Sequence, residues 1–548
     1  MRQIRKFFSQ KQTLLLGLII LIAIFFRFYR LGMVPPSPSL DEVSIGWNSY
    51  SILETGRDEY GTKLPILLRA YDDWRPALYV YLVIPFIKIL GLSVTAVRLP
   101  SVLLSLITVF ATYFLVQELF KNSKNKVNYS LVAAFLLAIS PWHIYISRLG
   151  HEVNAGLTFS ILAIFFFLKG VHRKKLIFFI SSAIFFALSF YSYQSQKIFG
   201  PLIILSLGLI YRKQLWQLKK EVIVAGLVGL LLLIPIIKVS FTPEAMIRFQ
   251  GTSIFVNQPE LSQRTAERIA RDYQQGNILG LILDSRRVAM GLVVLRAYLS
   301  HFDLTWLLFN SGAENHKVPS LGLFYLWELP LLLIGGYQLA TGRFSQKSKL
   351  LIFSWLFIAP LSASITTDAP HAMRTFNVLP IPQILTAIGM MTIMKRIKLK
   401  PWLIALVIIF LFFSLCYLYH NYFVNFPYEQ SDSFQYPLAQ AIKYVLPIED
   451  QYQKIVISNQ NHGYQSYMFY LFFSQYGPKL YLNQGGTISG GYNKTHQFGK
   501  YEFRPIEWGR EIKEGVLYMG NFNDFPETIT PLREFDLLNG EKAIYVVE

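Results

Sequence analysis

The stretch WLIALVIIFLFFSLCYLY, Trp402–Tyr419, holds no charged residue. As a helix it would cover most of the roughly 30 Å of hydrocarbon in a bilayer, which takes about 20 apolar residues to cross. LLLGLIILIAIFF, Leu14–Phe26, and GLVGLLLLIPII, Gly226–Ile237, read the same way. Outward from these runs the composition agrees: 53% of the 548 residues are apolar and 16% are charged, against about 25% charged in soluble domains. A water-soluble chain could not bury that much hydrocarbon, so the fold class is an α-helical polytopic membrane protein. The one cysteine, Cys416, lies inside an apolar run, which excludes an intrachain disulfide and argues against thiol redox chemistry.

The net charge of +19, from 52 Lys and Arg against 33 Asp and Glu, would suit a nucleic-acid binder if the cations formed a stripe. Instead they fall in short loops between apolar runs, the positive-inside pattern of membrane topology, and no nucleic-acid partner is expected. Eleven spans are predicted: Thr13–Tyr29, Leu99–Val116, Tyr129–Ile146, Val153–Leu168, Leu176–Tyr193, Ile198–Tyr211, Val222–Ile237, Leu321–Thr341, Leu350–Thr367, Thr375–Met394 and Pro401–Tyr419. With the N-terminus cytoplasmic and the first run a retained helix, the loops FKNSKNKVN, KGVHRKK, RKQLWQLKK, GRFSQKSK and KRIKLK all fall inside. This requires Pro76–Leu92 to lie at the outer interface as an amphipathic helix without crossing, because a crossing there would flip all the later basic loops.

Residues 1–423 then form a transmembrane domain with large outer loops at 30–98 and 240–320, and 424–548 an extracytoplasmic domain. The tail alternates strand-like KIVISN, KLYLN, GVLYM and KAIYVVE with helix-like YPLAQAIKYVL and QSYMFYLFFSQY, a pattern that predicts a small α/β domain. The expected location is the plasma (inner) membrane.

Chemistry-bearing residues gather at the outer ends of spans. Asp41 and Glu42 follow the first span, and Asp58, Glu59, Asp72 and Asp73 are expected to meet Arg75 at the membrane surface. The acidic pair also reads as a solvated pair or a helix cap, since Asp41 precedes the helix-like VSIGWNSYSILETG. The loop SPWHIYISRLGHE brings His143, Arg148, His151 and Glu152 together; ionisable groups so near a bilayer are functional candidates, and Arg148 with Glu152 reads equally as an i, i+4 surface pair. Tyr193, Lys197, His371 and Arg374 complete the set. Lys197 and Arg374 break the basic-inside rule, either because an anion holds them there or because they snorkel to lipid phosphate.

The LDE motif at Leu40–Glu42, the Arg75–Pro76 step, RLPSVL at Arg98–Leu103, SPWHIYISRLGHE at Ser140–Glu152 and HAMRT at His371–Thr375 together resemble the GT-C membrane glycosyltransferases, more narrowly family 39, the protein O-mannosyltransferase and aminoarabinose transferase group. The resemblance runs from about Arg27 to Arg396 and leaves the tail uncovered. It implies an extracytoplasmic site that moves a sugar from a polyprenyl-phosphate carrier to an acceptor hydroxyl on a protein, lipid or polysaccharide. Asp41 would be the base or acceptor-orienting carboxylate, with Glu42 and Glu152 as further acidic residues. Arg75, Lys197 and Arg374 would bind the donor phosphate, and His143, Arg148, His151, Tyr193 and His371 the substrates. Where the family often has Lys-Pro-Pro this chain has Arg75, Pro76 and Ala77, a planar fork in place of an ammonium.

The implied reaction is a single displacement with inversion: a carboxylate takes the hydroxyl proton and cations stabilise the leaving phosphate. No cofactor is expected. A divalent metal on Asp41 and Glu42 is the alternative, disfavoured by the lack of a clear DxD in this loop. Gln263–Tyr273 and Val288–Phe302, in the second large outer loop, are assigned to covering the carrier and the acceptor. The competing readings are a transferase or ligase of another lipid-linked glycan unit, and a transporter.

Overall fold

The computed structural model describes residues 10–256, 258–309, 316–396, 401–491, 495–512 and 514–548. The basic residues within 1–9 and Lys398 and Lys400 of one basic loop lie outside the described residues. Seven helical segments are long and apolar enough to cross a membrane: Gln10–Phe28, Val94–Leu119, Val153–Arg173, Lys219–Ser240, Arg286–Leu308, Phe376–Arg396 and Ile404–Glu429. An eighth is added if Lys126–Ile139 and Pro141–Ser147, bent by 57°, form one broken span. The bend is local chemistry: Pro141 has no N–H to give and disfavours a helical Ser140, whose side chain instead caps the second piece at His143 N.

The chain is thus a multi-pass membrane protein, but eleven crossings are not confirmed. Four expected spans are helices shorter than 18 residues, Leu176–Phe190, Gln196–Ile210, Glu328–Thr341 and Gln346–Ile358. Arg286–Leu308, which contains the Val288–Phe302 stretch assigned above to covering the carrier and the acceptor, has the length and composition to cross. Leu18, Leu21, Leu227, Leu231, Ile408 and Phe412 are exposed on their helices, as side chains facing lipid should be. Two helices meet through glycine: a Cβ on Gly335 would sit 1.8 Å from Leu385 O and one on Gly389 1.9 Å from Leu331 O, so only a bare backbone permits this approach.

Six elements frame the end of the bundle that carries Asp41. Helix α1 is Gln10–Phe28, α2 Leu40–Thr55, β1 Leu67–Ala70, β2 Asp73–Pro76, α3 Leu78–Leu90 and α4 Val94–Leu119. Strands β1 and β2 form an antiparallel hairpin, and α3 packs on α2 and α4. Further along come α5, Val153–Arg173, α6, Leu176–Phe190, α7, Gln196–Ile210, α8, Lys219–Ser240, and α9, Pro243–Thr252.

The tail folds as a six-stranded mixed sheet. Its strands are β3, Lys454–Ile457, β4, His496–Phe498, β5, Tyr501–Phe503, β6, Val516–Asn521, β7, Arg533–Asp536, and β8, Lys542–Val547, in the order β4-β5-β3-β6-β8-β7. Strand β3 is parallel to both β5 and β6. Helices Tyr436–Val445 and Ser466–Phe473 form as expected. KLYLN does not form a strand: Pro478 starts a helix over Pro478–Asn483, in keeping with proline's preference for a first helical turn.

Candidate active site

Helix α2 begins on a capping box: Ser39 Oγ accepts from Glu42 N, and Glu42 Oε2 accepts from Ser39 N at 2.9 Å. The cap is therefore Ser39, and Asp41 sits in the first turn with its side chain 45% exposed. Glu42 points the other way. It is buried and accepts from Arg98 Nε at 2.7 Å, Arg98 Nη2 at 3.1 Å and Gly150 N at 2.8 Å. Arg98 also donates to the carbonyls of Leu31, Pro35 and Ser37. Glu42 and Arg98 thus tie α2, the start of α4 and the turn before α5 to the Leu31–Ser37 segment, which makes Glu42 a structural latch.

Asp41 is the centre of an alternating charge row. Arg75 Nη1 donates to Asp41 Oδ1 at 2.8 Å, His151 Nε2 lies 3.5 Å from Asp41 Oδ2, and His151 Nδ1 lies 3.3 Å from Glu152 Oε2. Burial works against a charge on His151, but Glu152 and Asp41 beside it hold its pKa above the ordinary imidazole value. Arg75 is delivered by β2 and is buried; its Nη2 has no hydrogen-bond partner among the described residues. Tyr193 meets the His151 ring edge-on at 5.9 Å and is within electrostatic reach of Arg374, Glu152 and Asp41.

Beyond Tyr193 opens a cavity of about 250 Å³. Lys197 and Arg374 are its charged lining, among the hydroxyls of Ser195, Ser240, Ser253 and Ser362. Arg374 Nη1 donates to Thr366 Oγ1 at 2.8 Å, which fixes one end of its fork. Gln194 Nε2 donates to Trp74 O at 3.3 Å, so this wall is bonded to the strand that carries Arg75. The far wall is α9 with Thr252 and Ser253, held by Ile254 N to Ile365 O at 3.1 Å and Thr367 N to Thr252 O at 2.9 Å. Two cations and a set of hydroxyls without a lining carboxylate give the cavity a positive lining, the chemistry that suits an anion.

Two sequence candidates, His143 and Arg148, lie elsewhere, while a third, His371, stands beside the pocket with its Nδ1 accepting from Arg374 N at 3.4 Å. His143 is buried, its Nδ1 2.6 Å from Arg27 Nη2. Arg148 does not pair with Glu152; it donates to the carbonyls of Phe26, Arg27 and Val34, satisfying groups that the end of α1 leaves open. His371 stacks on His316 at 4.9 Å. Burial, reinforced by His316 and Arg374, pushes His371 down to about 2, and burial with His151 takes His316 to about 4, so both rings are neutral. Glu59 and Asp72 are also not at the membrane site: they turn to the tail, where Glu59 accepts from Tyr467 and Thr487 and Asp72 from Ser489 and Gly490.

Arg98, His316, Ser195 and Asn377 were missed. Gln196 Nε2 donates to Asn377 Oδ1 at 2.6 Å and Asn377 Nδ2 to Ser195 Oγ at 2.9 Å, which fixes the turn below the pocket. Arg98 carried a usable signal, being a cation on the outer end of a span like Lys197 and Arg374. Among the described residues no cluster of three or more His, Cys, Asp or Glu could hold a metal.

Residues 75–238 match the family model described as dolichyl-phosphate-mannose-protein mannosyltransferase. The fold is similar to ArnT from Cupriavidus metallidurans bound to undecaprenyl phosphate, with TM-score 0.53, 11% identity and 97% of each chain covered. Over residues 75–238 the chain is thus similar to that family, and over its whole length to the fold of ArnT. The fold is also similar to the oligosaccharyltransferase AglB from Archaeoglobus fulgidus in complex with an inhibitory peptide and a dolichol-phosphate, with TM-score 0.52, 12% identity and 85% of this chain covered. The chain spans 64% of that longer chain. No curated protein matches it by sequence. The segment matched by the family model takes in Arg75, His151, Glu152, Tyr193 and Lys197, and leaves Asp41 and Arg374 outside.

Proposed function

We propose that the chain is a glycosyltransferase that moves a sugar from a polyprenyl-phosphate carrier to an acceptor hydroxyl, with inversion, at the extracytoplasmic face of the plasma (inner) membrane. The observation that carries this reading is the half-exposed Asp41 carboxylate, linked through His151 and Tyr193 to a pocket whose charged lining is Lys197 and Arg374. The geometry suits a displacement. The carrier's phosphate enters the pocket, where the ammonium and guanidinium neutralise charge as it builds on the leaving group. The acceptor hydroxyl comes to Asp41, which orients it and takes its proton. Arg75 and His151 hold Asp41 in place, and Glu152 holds His151.

The site works without a metal in this reading, because both Glu42 oxygens are already taken by Arg98, Ser39 and Gly150, so Asp41 and Glu42 do not converge on one ion. Residues 424–548 act as an extracytoplasmic domain seated on the first outer loop. Orientation follows from charge: Asp41 lies at the Arg98 end of α4, the basic Lys121–Lys126 loop at the other. The matched structures of AglB and ArnT hold dolichol-phosphate and undecaprenyl phosphate, which supports a carrier of that class.

The test is to purify the protein in mild detergent, identify co-purifying lipids by mass spectrometry, and assay transfer from the lipid found. A polyprenyl phosphate or its sugar conjugate, with transfer abolished in Asp41→Asn, is the expected result. Recovery of bulk phospholipid alone and full turnover in Asp41→Asn would overturn the reading.

A further inference from the structure

The opposite end of α4 carries a second cavity, of about 460 Å³. Arg98 and Glu118 are 20 residues apart on that helix, and at about 1.5 Å per residue the separation is about 30 Å, the thickness of a hydrocarbon core. The cavity therefore sits at the far interface from Asp41.

Three cations line it, Lys121, Arg343 and Lys347. The lining carboxylate, Glu118, is occupied, with Oε2 2.5 Å from His172 Nδ1. Neither Arg343 nor Lys347 has an ion pair among the described residues. Lys347 lies over the Tyr211 ring at 5.2 Å, and burial together with nearby Lys213 pushes its pKa below the usual lysine value. Uncompensated positive charge in a concave wall is the chemistry that receives a phosphate.

What distinguishes a lipid from a free anion lies next to it. Gln214 lines the cationic cavity and the adjacent Leu215 lines a second hollow of about 400 Å³ between α6, α7 and α8, whose other walls are apolar apart from Ser182. Tyr211 of the first cavity meets Phe167 of the second at 5.5 Å. Gly226 leaves space on this wall, with nothing within 4 Å of where its Cβ would be. Trp216, 78% exposed on the same turn, suits the interfacial aromatic belt. We propose that the two hollows are one site for an anionic phospholipid of the leaflet opposite the active site: the phosphate headgroup among Lys121, Arg343 and Lys347, and an acyl chain in the groove between α6, α7 and α8. Basic pockets between membrane helices commonly take such headgroups.

Native mass spectrometry of the full-length protein reads retained lipid, with phosphatidylglycerol, phosphatidylcholine and inorganic phosphate as probes. Phosphatidylglycerol should be retained over phosphatidylcholine, and the double variant Arg343→Gln/Lys347→Gln should lower its retention by about thirtyfold, since each basic residue near an anionic surface contributes roughly fivefold and the two factors multiply. Gly226→Leu, which fills the groove and leaves the cations in place, should also lower it. Equal retention of the two lipids, or undiminished phosphatidylglycerol on the double variant, overturns the site. Thermal stabilisation by inorganic phosphate that matches phosphatidylglycerol and survives Gly226→Leu overturns the lipid assignment in favour of a soluble anion.

Discussion

The first outer loop contains the dipeptide Asp-Glu twice, at 41–42 and at 58–59, and the two copies end in different surroundings. In the first, Glu42 is buried against the Arg98 guanidinium and Asp41 is left half-open beside Arg75 and His151. In the second, Asp58 closes a local turn by accepting from Tyr60 N and Thr62 N. Glu59 is buried under the tail with only neutral donors, Asn48, Tyr467 and Thr487. Burial without a cation pushes the Glu59 carboxyl up to about 7. The comparison teaches that what a buried carboxylate does here depends on whether a guanidinium reaches it. The first pair leaves one acid half-exposed in an ion-paired row; the second joins the first loop to the tail.

The largest effect is expected at the open acid. Asp41→Asn keeps the volume and removes the basic oxygen, so turnover should fall by about 10³-fold while the melting profile in detergent stays near wild type. A comparable rate loss in Glu42→Gln with unchanged stability would erase the contrast between the neighbours. Arg98→Met should destabilise the fold by about 3–5 kcal/mol, because it strands a buried carboxylate, and thermal unfolding in detergent measures this.

Glu59 gives a pH test of the second pair. Its folded pKa is raised from 4.5 to about 7, so the folded protein binds the extra proton and the contribution is fully present below about pH 4.5. It is lost as pH rises through about 7, amounting to on the order of 3 kcal/mol. Glu59→Gln should flatten that slope of stability against pH; an unchanged slope would place the titration elsewhere. The smallest effect is expected in the anion pocket, where Lys197→Gln should raise KM for the lipid donor by about tenfold and leave acceptor KM alone. Donor and acceptor saturation curves separate the two.

Much of the site was legible because its residues break a rule. Lys197 and Arg374 are cations that the charge-based topology would not place where it puts them, and they line one pocket. Asp41 and Arg75, 34 residues apart, form an ion pair. His143 and Arg148 are buried, and burial decides which partners they meet. They sit in the same short loop as His151, yet they bond to α1, which no local pattern reveals. KLYLN has strand-like alternation over five residues, too few to outweigh Pro478 at a helix start.

The amino-acid sequence by itself determined that the chain lives in a bilayer and forms helices there, since the hydrocarbon it carries has no other place to go and unpaired backbone in lipid is too unfavourable. It also marked one end of the bundle by its basic loops. Only the tertiary structure decided which of two adjacent carboxylates is a latch and which is open. Adjacent residues on a helix are rotated by about 100°, so Asp41 and Glu42 face different neighbours, and those neighbours are brought in from residues 75, 98, 150 and 151 by the fold.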